Sequence, residues 1–169
     1  MTQPEQTEFD FGKPDAALPQ LWTPDDIFRG VNQEIIEQFR EDGRIERKSC
    51  KIEARGLGDY LSMWANTQPH GGLVLIGVEN GGVLTGCSSL ATEQLNRLEQ
   101  VSQYCPDARI EFKRVAVTLD DGRRDFVIAL RVLYREDKLV ETTSGEAFIR
   151  EGDAKRRLSE AQKNEVRIK

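Results

Sequence analysis

Apolar positions along this chain fall into an ordered series: a helical face, a loose alternation, a second helical face, then an unbroken apolar run. Ile27, Val31, Ile35 and Phe39 recur at roughly helical spacing after Thr23-Pro24-Asp25-Asp26. That tetrapeptide is a helix start. The threonine can accept from a free backbone N–H, proline at the first helical position forfeits no bond, and two aspartates suit the positive helix end. Gly30 can divide the stretch into two helices, and Asp42-Gly43 turns the chain. Residues 45–52 alternate loosely, as a strand does. Gly56 to Gly58 reads as a break, after which residues 57–67 carry Leu61 and Trp64 on a helical face. Gln68-Pro69-His70-Gly71-Gly72 is expected to be a loop. Leu73-Val74-Leu75-Ile76-Gly77-Val78 is continuously apolar, as in a central strand covered on both faces. Glu79-Asn80-Gly81-Gly82 is a hairpin-type turn leading to a short strand at Val83-Leu84.

The second half repeats this grammar. Residues 89–104 form a helix candidate, with Leu90, Leu95, Leu98 and Val101 as its apolar positions, ended by Pro106. Residues 109–119 and 125–134 alternate as two strands around Asp120-Asp121-Gly122. Leu139-Val140 and Ala147-Phe148-Ile149 read as two short strands around Ser144-Gly145, and residues 158–168 as a last helix. The expected fold is a mixed α/β sheet with helices packed on it.

With 169 residues, 38% hydrophobic and 31% charged, the chain suits one ordinary globular domain. Residues 1–22, with Pro4, Pro14 and Pro19, read as an acidic arm or disordered tail. Residues 23–158 are the expected domain. Residues 159–169 are a C-terminal helix or a linker, with a further domain after Lys169 as an open expectation. No apolar run approaches the roughly 18 residues of a membrane span. The start lacks the basic-then-apolar layout of a signal peptide, so a cytoplasmic setting without a membrane partner is expected. Cys50, Cys87 and Cys105 are an odd, widely spaced set, and His70 is the single histidine; neither a disulfide framework nor the usual zinc sets are expected. The net charge of −5 is uneven: residues 1–42 hold 3 Lys/Arg against 10 Asp/Glu, and the remaining 21 and 19 leave the body at +2. That balance permits a nucleic-acid partner without demanding one.

Three groupings can carry chemistry. In Glu41-Asp42-Gly43-Arg44-Ile45-Glu46-Arg47-Lys48, strand parity puts Glu46 and Lys48 on one face, and the turn can bring Glu41 back towards them. Converging carboxylates hold Mg²⁺ or Mn²⁺ through oxygen, and such an ion polarises phosphate and activates water. A solvated charged turn has the same spacing. Glycines 71, 72, 77, 81, 82 and 86 crowd a second segment, allowing tight turns or close backbone approach to a ligand; Asn66 precedes it and Glu79 leaves the buried strand. Neither nucleotide-binding glycine fingerprint is present. The third grouping is basic charge in three clusters: Arg44, Arg47, Lys48, Lys51 and Arg55, then 113–124, then Arg150, Lys155, Arg156 and Arg157.

Together these pieces resemble a known family. Glu41-x4-Glu46-x-Lys48, Trp64-Ala65-Asn66-Thr67, the glycine-rich block from Gly71 to Gly86 and Ala147-Phe148-Ile149-Arg150-Glu151-Gly152-Asp153 look like the Schlafen AlbA-like domain of prokaryotic regulators and animal Schlafens. The resemblance spans about residues 38–158. It implies a compact mixed α/β domain and a nucleic-acid partner, RNA or DNA, in a regulatory or defence protein of a prokaryote. Arg44, Arg47, Lys48, Lys51, Asn66 and Arg150 are then the expected nucleic-acid contacts. It also implies two alternatives. One is a metal-dependent endoribonuclease acting on tRNA or rRNA, with Glu41, Glu46 and Glu79 holding Mg²⁺ or Mn²⁺ and Lys48 beside them as a catalytic partner. The other is an ATP-binding transcriptional regulator. Animal Schlafens pair two such units around RNA, so a homodimer is a further expectation. Arg47 stands where the family usually has an aromatic residue.

Overall fold

A computed structural model describes residues 22–38 and 40–168; the predicted arm as far as Leu21, Phe39 and Lys169 lie outside them. Four strands form one mixed sheet in the order β1-β2-β4-β3: β1 (Ile45–Lys48), β2 (Gly72–Ile76), β3 (Arg109–Thr118) and β4 (Arg124–Leu133). β1 runs parallel to β2, and the other pairings are antiparallel. Among the described residues the α-helices are α1 (Pro24–Gly30), α2 (Gln33–Gln38), α3 (Ala54–Ala65), α4 (Thr92–Glu99) and α5 (Glu160–Ile168). A separate hairpin joins β5 (Phe148–Glu151) to β6 (Ala154–Arg157). No helix among the described residues is long and apolar enough to cross a membrane.

Strand parity builds three layers. Leu73 and Leu75 of β2, with Val127 and Ala129 of β4, face Ile27, Val31 and Ile36 of the first helical segment. Val74 and Ile76, with Ile128, Leu130 and Val132, face Leu57, Leu61 and Trp64 on α3. Both parities of β2 are buried, which is why its sequence does not alternate. Each fully buried Leu or Ile contributes roughly 1.5–3 kcal/mol relative to exposure.

The helix start at Thr23 forms as expected, a capping box in which Thr23 and Asp26 bond each other's backbone N–H. Gly30 does divide α1 from α2. Five local expectations are corrected. Val83-Leu84 forms no strand; Leu84 makes a single isolated bridge to Val78. The strand ends at Lys48 rather than Ile52, because residues 49–52 turn, with Ile52 N–H donating to Ser49 O at 3.1 Å. Gly56 and Gly58 lie inside α3 and do not break it; a Cβ on Gly58 would stand 2.9 Å from Tyr104 Cβ, so that glycine permits a close helix contact. The helix candidate over residues 89–104 is shorter: α4 begins at Thr92, and Val101–Tyr104 is a 3-10 turn. Leu139-Val140 forms no strand. The partner of β5 is β6, around Gly152 at φ +60°. Lys155-Arg156-Arg157 carries no apolar alternation to announce it.

Candidate functional site

β1 divides its side chains between the two faces of the sheet. Ile45 and Arg47 point towards α2, while Glu46 and Lys48 point towards α3 and the β5–β6 hairpin. Glu46 and Lys48 therefore do share a face, and they pair at 2.8 Å. The second Glu46 oxygen accepts from Arg150 Nη1 at 2.9 Å, and Arg150 also donates to Asp42 O at 3.0 Å. The Arg150 guanidinium lies 5.0 Å from the Trp64 ring centre, beneath which α3 packs on the sheet. One carboxylate thus holds two cations.

The network continues along α3. Lys48 Nζ stands 4.4 Å from the centre of the Tyr60 ring, and Lys155 Nζ stands 4.6 Å from the same centre. Lys155 also pairs with Asp59 at 3.1 Å and lies 4.8 Å from the Phe148 ring. Rings attract cations through their negative faces, so Tyr60 links the strand lysine to the hairpin lysine. Burial pulls the Lys48 ammonium down, but Glu46 and Tyr60 outweigh it and hold the group above the ordinary lysine value. Both lysines keep partial solvent access, 21% and 26% of their side-chain surface.

The last turn of α3 fastens the hairpin to this face. Ser62 Oγ donates to Val140 O and accepts from Phe148 N–H. Asn66 Nδ2 donates to Val140 O and Phe148 O. Thr67 Oγ1 accepts from Arg150 N–H at 3.2 Å. The Asn66-Thr67 and Phe148-Ile149-Arg150 motifs are therefore two halves of one joint.

Several predicted contacts lie elsewhere. Asn66 spends its amide on this joint rather than on a ligand. Arg47 is buried at 4% exposure; it donates to Ile36 O at 3.3 Å, near the carbonyl end of α2, and its guanidinium lies against Gly82. Burial pulls its pKa down and Glu41 counters this. Arg150 is likewise covered by its partners, its side chain 5% exposed. Arg44 pairs with Asp42 and donates to Trp22 O. Lys51 is exposed, while Lys48 stands in the network.

The three-carboxylate expectation is not met. Glu41 accepts from Arg47 N–H at 2.5 Å, satisfying a donor on the free edge of β1. Glu46 is divided between Lys48 and Arg150, and Glu79 accepts from Thr85 Oγ1 at 3.3 Å across its own turn. Among the described residues no group of three or more His, Cys, Asp or Glu could hold a metal ion. These residues do not fit Mg²⁺ or Mn²⁺.

Most of the glycine-rich segment is turned inward, with Gly81 open at the turn. A Cβ on Gly71 would meet Val132 O at 2.2 Å, one on Gly72 the Trp64 ring at 2.5 Å, and one on Gly86 the Asp125 carboxylate. These glycines let the chain approach itself. Sequence reasoning missed Tyr60 as the ring between the lysines and singled out Lys155 only as scattered charge. Both become visible once β6 folds back over α3.

The profile of the family described as "Schlafen, AlbA_2" matches residues 41–159. The chain belongs to the Schlafen AlbA_2 family. That match runs from Glu41 through β1, α3, the glycine-rich turns and the β5–β6 hairpin, the elements that build the face around Tyr60. A solved structure, the DIP2311 protein from Corynebacterium diphtheriae, is similar in fold, with a TM-score of 0.51 at 21% sequence identity. The similarity covers 84% of this chain and 27% of that one, so this AlbA_2 chain spans about a quarter of that structure's length. A search of the curated proteins finds no match.

Proposed function

We propose that this AlbA_2 domain binds nucleic acid through its phosphates, across the face shared by β1, α3 and the β5–β6 hairpin. The observation that carries this reading is the Lys48–Tyr60–Lys155 arrangement. Two partly exposed ammonium groups from separate elements stand over one aromatic ring, each beside a single carboxylate. Phosphate oxygens can replace Glu46 and Asp59 as the lysines' partners, since charge-assisted bonds form equally with either anion. Such contacts fix a strand's position without reading its bases. Family membership and the +2 balance of residues 43–169 support the same reading.

The test is binding of labelled single-stranded and duplex RNA and DNA over a salt titration. Binding should weaken steeply with salt, and Lys48→Ala and Lys155→Ala should each lower the logarithmic salt slope by about one phosphate contact. Absence of any salt-dependent binding at low ionic strength would overturn the proposal.

A further inference from the structure

Just beyond β1 in the chain, a cleft of about 770 Å³ opens at the junction of residues 50–55, α4 and Tyr104. Its volume lies in the range of small-ligand sites. Three cations line it, Lys51, Arg55 and Arg97, against one carboxylate, Glu53. Most cations of this domain are ion-paired, and Arg97 holds only the exposed Glu93. The side chains of Lys51 and Arg55 have no ionic or hydrogen-bonding partner among the described residues.

The charge at the end of α3 runs against the helix field. α1, α2, α4 and α5 each carry an acid in the first turn, which complements the positive helix end. α3 has none there; Arg55 is its second residue, and Glu53 at the cap makes no side-chain cap bond. Lys51, Arg55 and Arg97 thus outnumber Glu53, the one acid lining the cleft at this positive end, an arrangement that an added anion relieves. Tyr104 and Leu90 supply an apolar wall opposite.

We infer that this cleft receives a phosphomonoester, the terminal phosphate of a nucleic-acid strand whose following nucleotides lie on the Lys48–Tyr60–Lys155 face. A terminal phosphate carries about −1.5 to −2 charge near neutral pH, enough to engage both cations that lack an ionic partner, Lys51 and Arg55; a backbone phosphodiester carries one. Arg55 and Asp59 stand four residues apart on α3, on adjoining turns of one helical side, so cleft and face are neighbours. The inference rests on the proposed nucleic-acid reading and sharpens it to strand ends.

The experiment is fluorescence anisotropy of the full chain with one oligonucleotide sequence, labelled internally and bearing a phosphate at its 5′ end, at its 3′ end or at neither. The expected result is about tenfold tighter binding of one phosphorylated form over the unphosphorylated one. In Arg55→Glu that preference should vanish, while thermal stability holds or rises because an acid then occupies the first turn; a folding defect would do the reverse. Lys48→Ala should weaken all three forms alike. Equal binding of the three forms overturns the inference and leaves general nucleic-acid binding intact, whereas binding of none overturns both. A nucleoside monophosphate that competes as strongly as the phosphorylated strand overturns the assignment to strand ends.

Discussion

Asn66 and Val140 exchange two hydrogen bonds, Val140 N–H donating to Asn66 Oδ1 and Asn66 Nδ2 donating to Val140 O, each at 2.9 Å. A side-chain amide thereby reproduces the pairing of one strand residue with another, at a place where Leu139-Val140 has no strand beside it. The same nitrogen reaches Phe148 O at 3.1 Å, so one residue holds both segments that lead into the hairpin.

Asn66→Ala removes these bonds and leaves partners inside the protein. A loss of about 2–4 kcal/mol is expected, read by urea denaturation. A variant as stable as the wild type would show that the joint contributes nothing net.

Gly56 and Gly58, two residues apart in α3, should respond in opposite directions to alanine. Nothing lies within 4 Å of a Cβ at Gly56, so Gly56→Ala should gain up to about 1 kcal/mol from helix propensity. At Gly58 the added methyl meets Tyr104 Cβ at 2.9 Å, and overpacking of about 1–3 kcal/mol outweighs that gain. Parallel thermal melts of the two variants check the sign of each.

Arg47 is a buried cation whose Nε finds no partner among the described residues and whose side-chain bond to Ile36 O is long at 3.3 Å. Arg47→Met keeps much of the volume and removes the desolvation cost. It should be neutral or stabilising by up to about 2 kcal/mol, whereas Arg47→Ala should destabilise by opening a cavity. Denaturant midpoints of the two variants on opposite sides of the wild type would bear this out.

Asp125 gives stability a dependence on pH. Burial pushes its carboxyl up, but bonds from Ser88 Oγ and from the N–H groups of Ser88, Phe126 and Cys87 prevail and hold it below its ordinary value of 3.8. A folded-state pKa below the unfolded one stabilises fully above the unfolded value and is lost as pH falls through the folded one. Asp125→Asn should therefore be less stable than the wild type at pH 6, with the difference shrinking below pH 3.8. Urea unfolding at successive pH values measures it.

What the sequence disclosed was whatever is written in local order. The Thr23-Pro24-Asp25-Asp26 cap is complete within four residues. Leu73 to Ile76 announces burial on both faces by lacking alternation, and the shared face of Glu46 and Lys48 follows from period two alone. Gly56 and Gly58 misled because a glycine that permits helix packing looks the same in sequence as one that ends a helix. β6 was invisible because its residues Lys155 to Arg157 face partners in α3, in the loop near residue 146 and within the hairpin rather than a core. Glu41, Glu46 and Glu79 fit a metal on spacing, yet each had a nearer donor in Arg47, in Lys48 and Arg150, and in Thr85. Asn66 looked like a contact for a ligand because a polar residue after a helix gives no sign of a bond to a segment more than seventy positions away.

The β5–β6 hairpin belongs to neither layer of the main sheet. Leu139, Ala147 and Leu158 beneath it form their own small apolar cluster, Phe148 alone of the hairpin's residues enters the main core, and its polar ties run through Ser62, Asn66, Thr67, Glu46 and Asp59. An element held by one main-core side chain, a small apolar cluster and a few polar bonds opens at a lower free energy than a sheet buried on both faces. Amide exchange at the hairpin should thus run ahead of exchange in β2 and β4. Half of the lysine face would then move on a hinge of its own, able to lift from α3 and settle again while the rest of the domain stays folded.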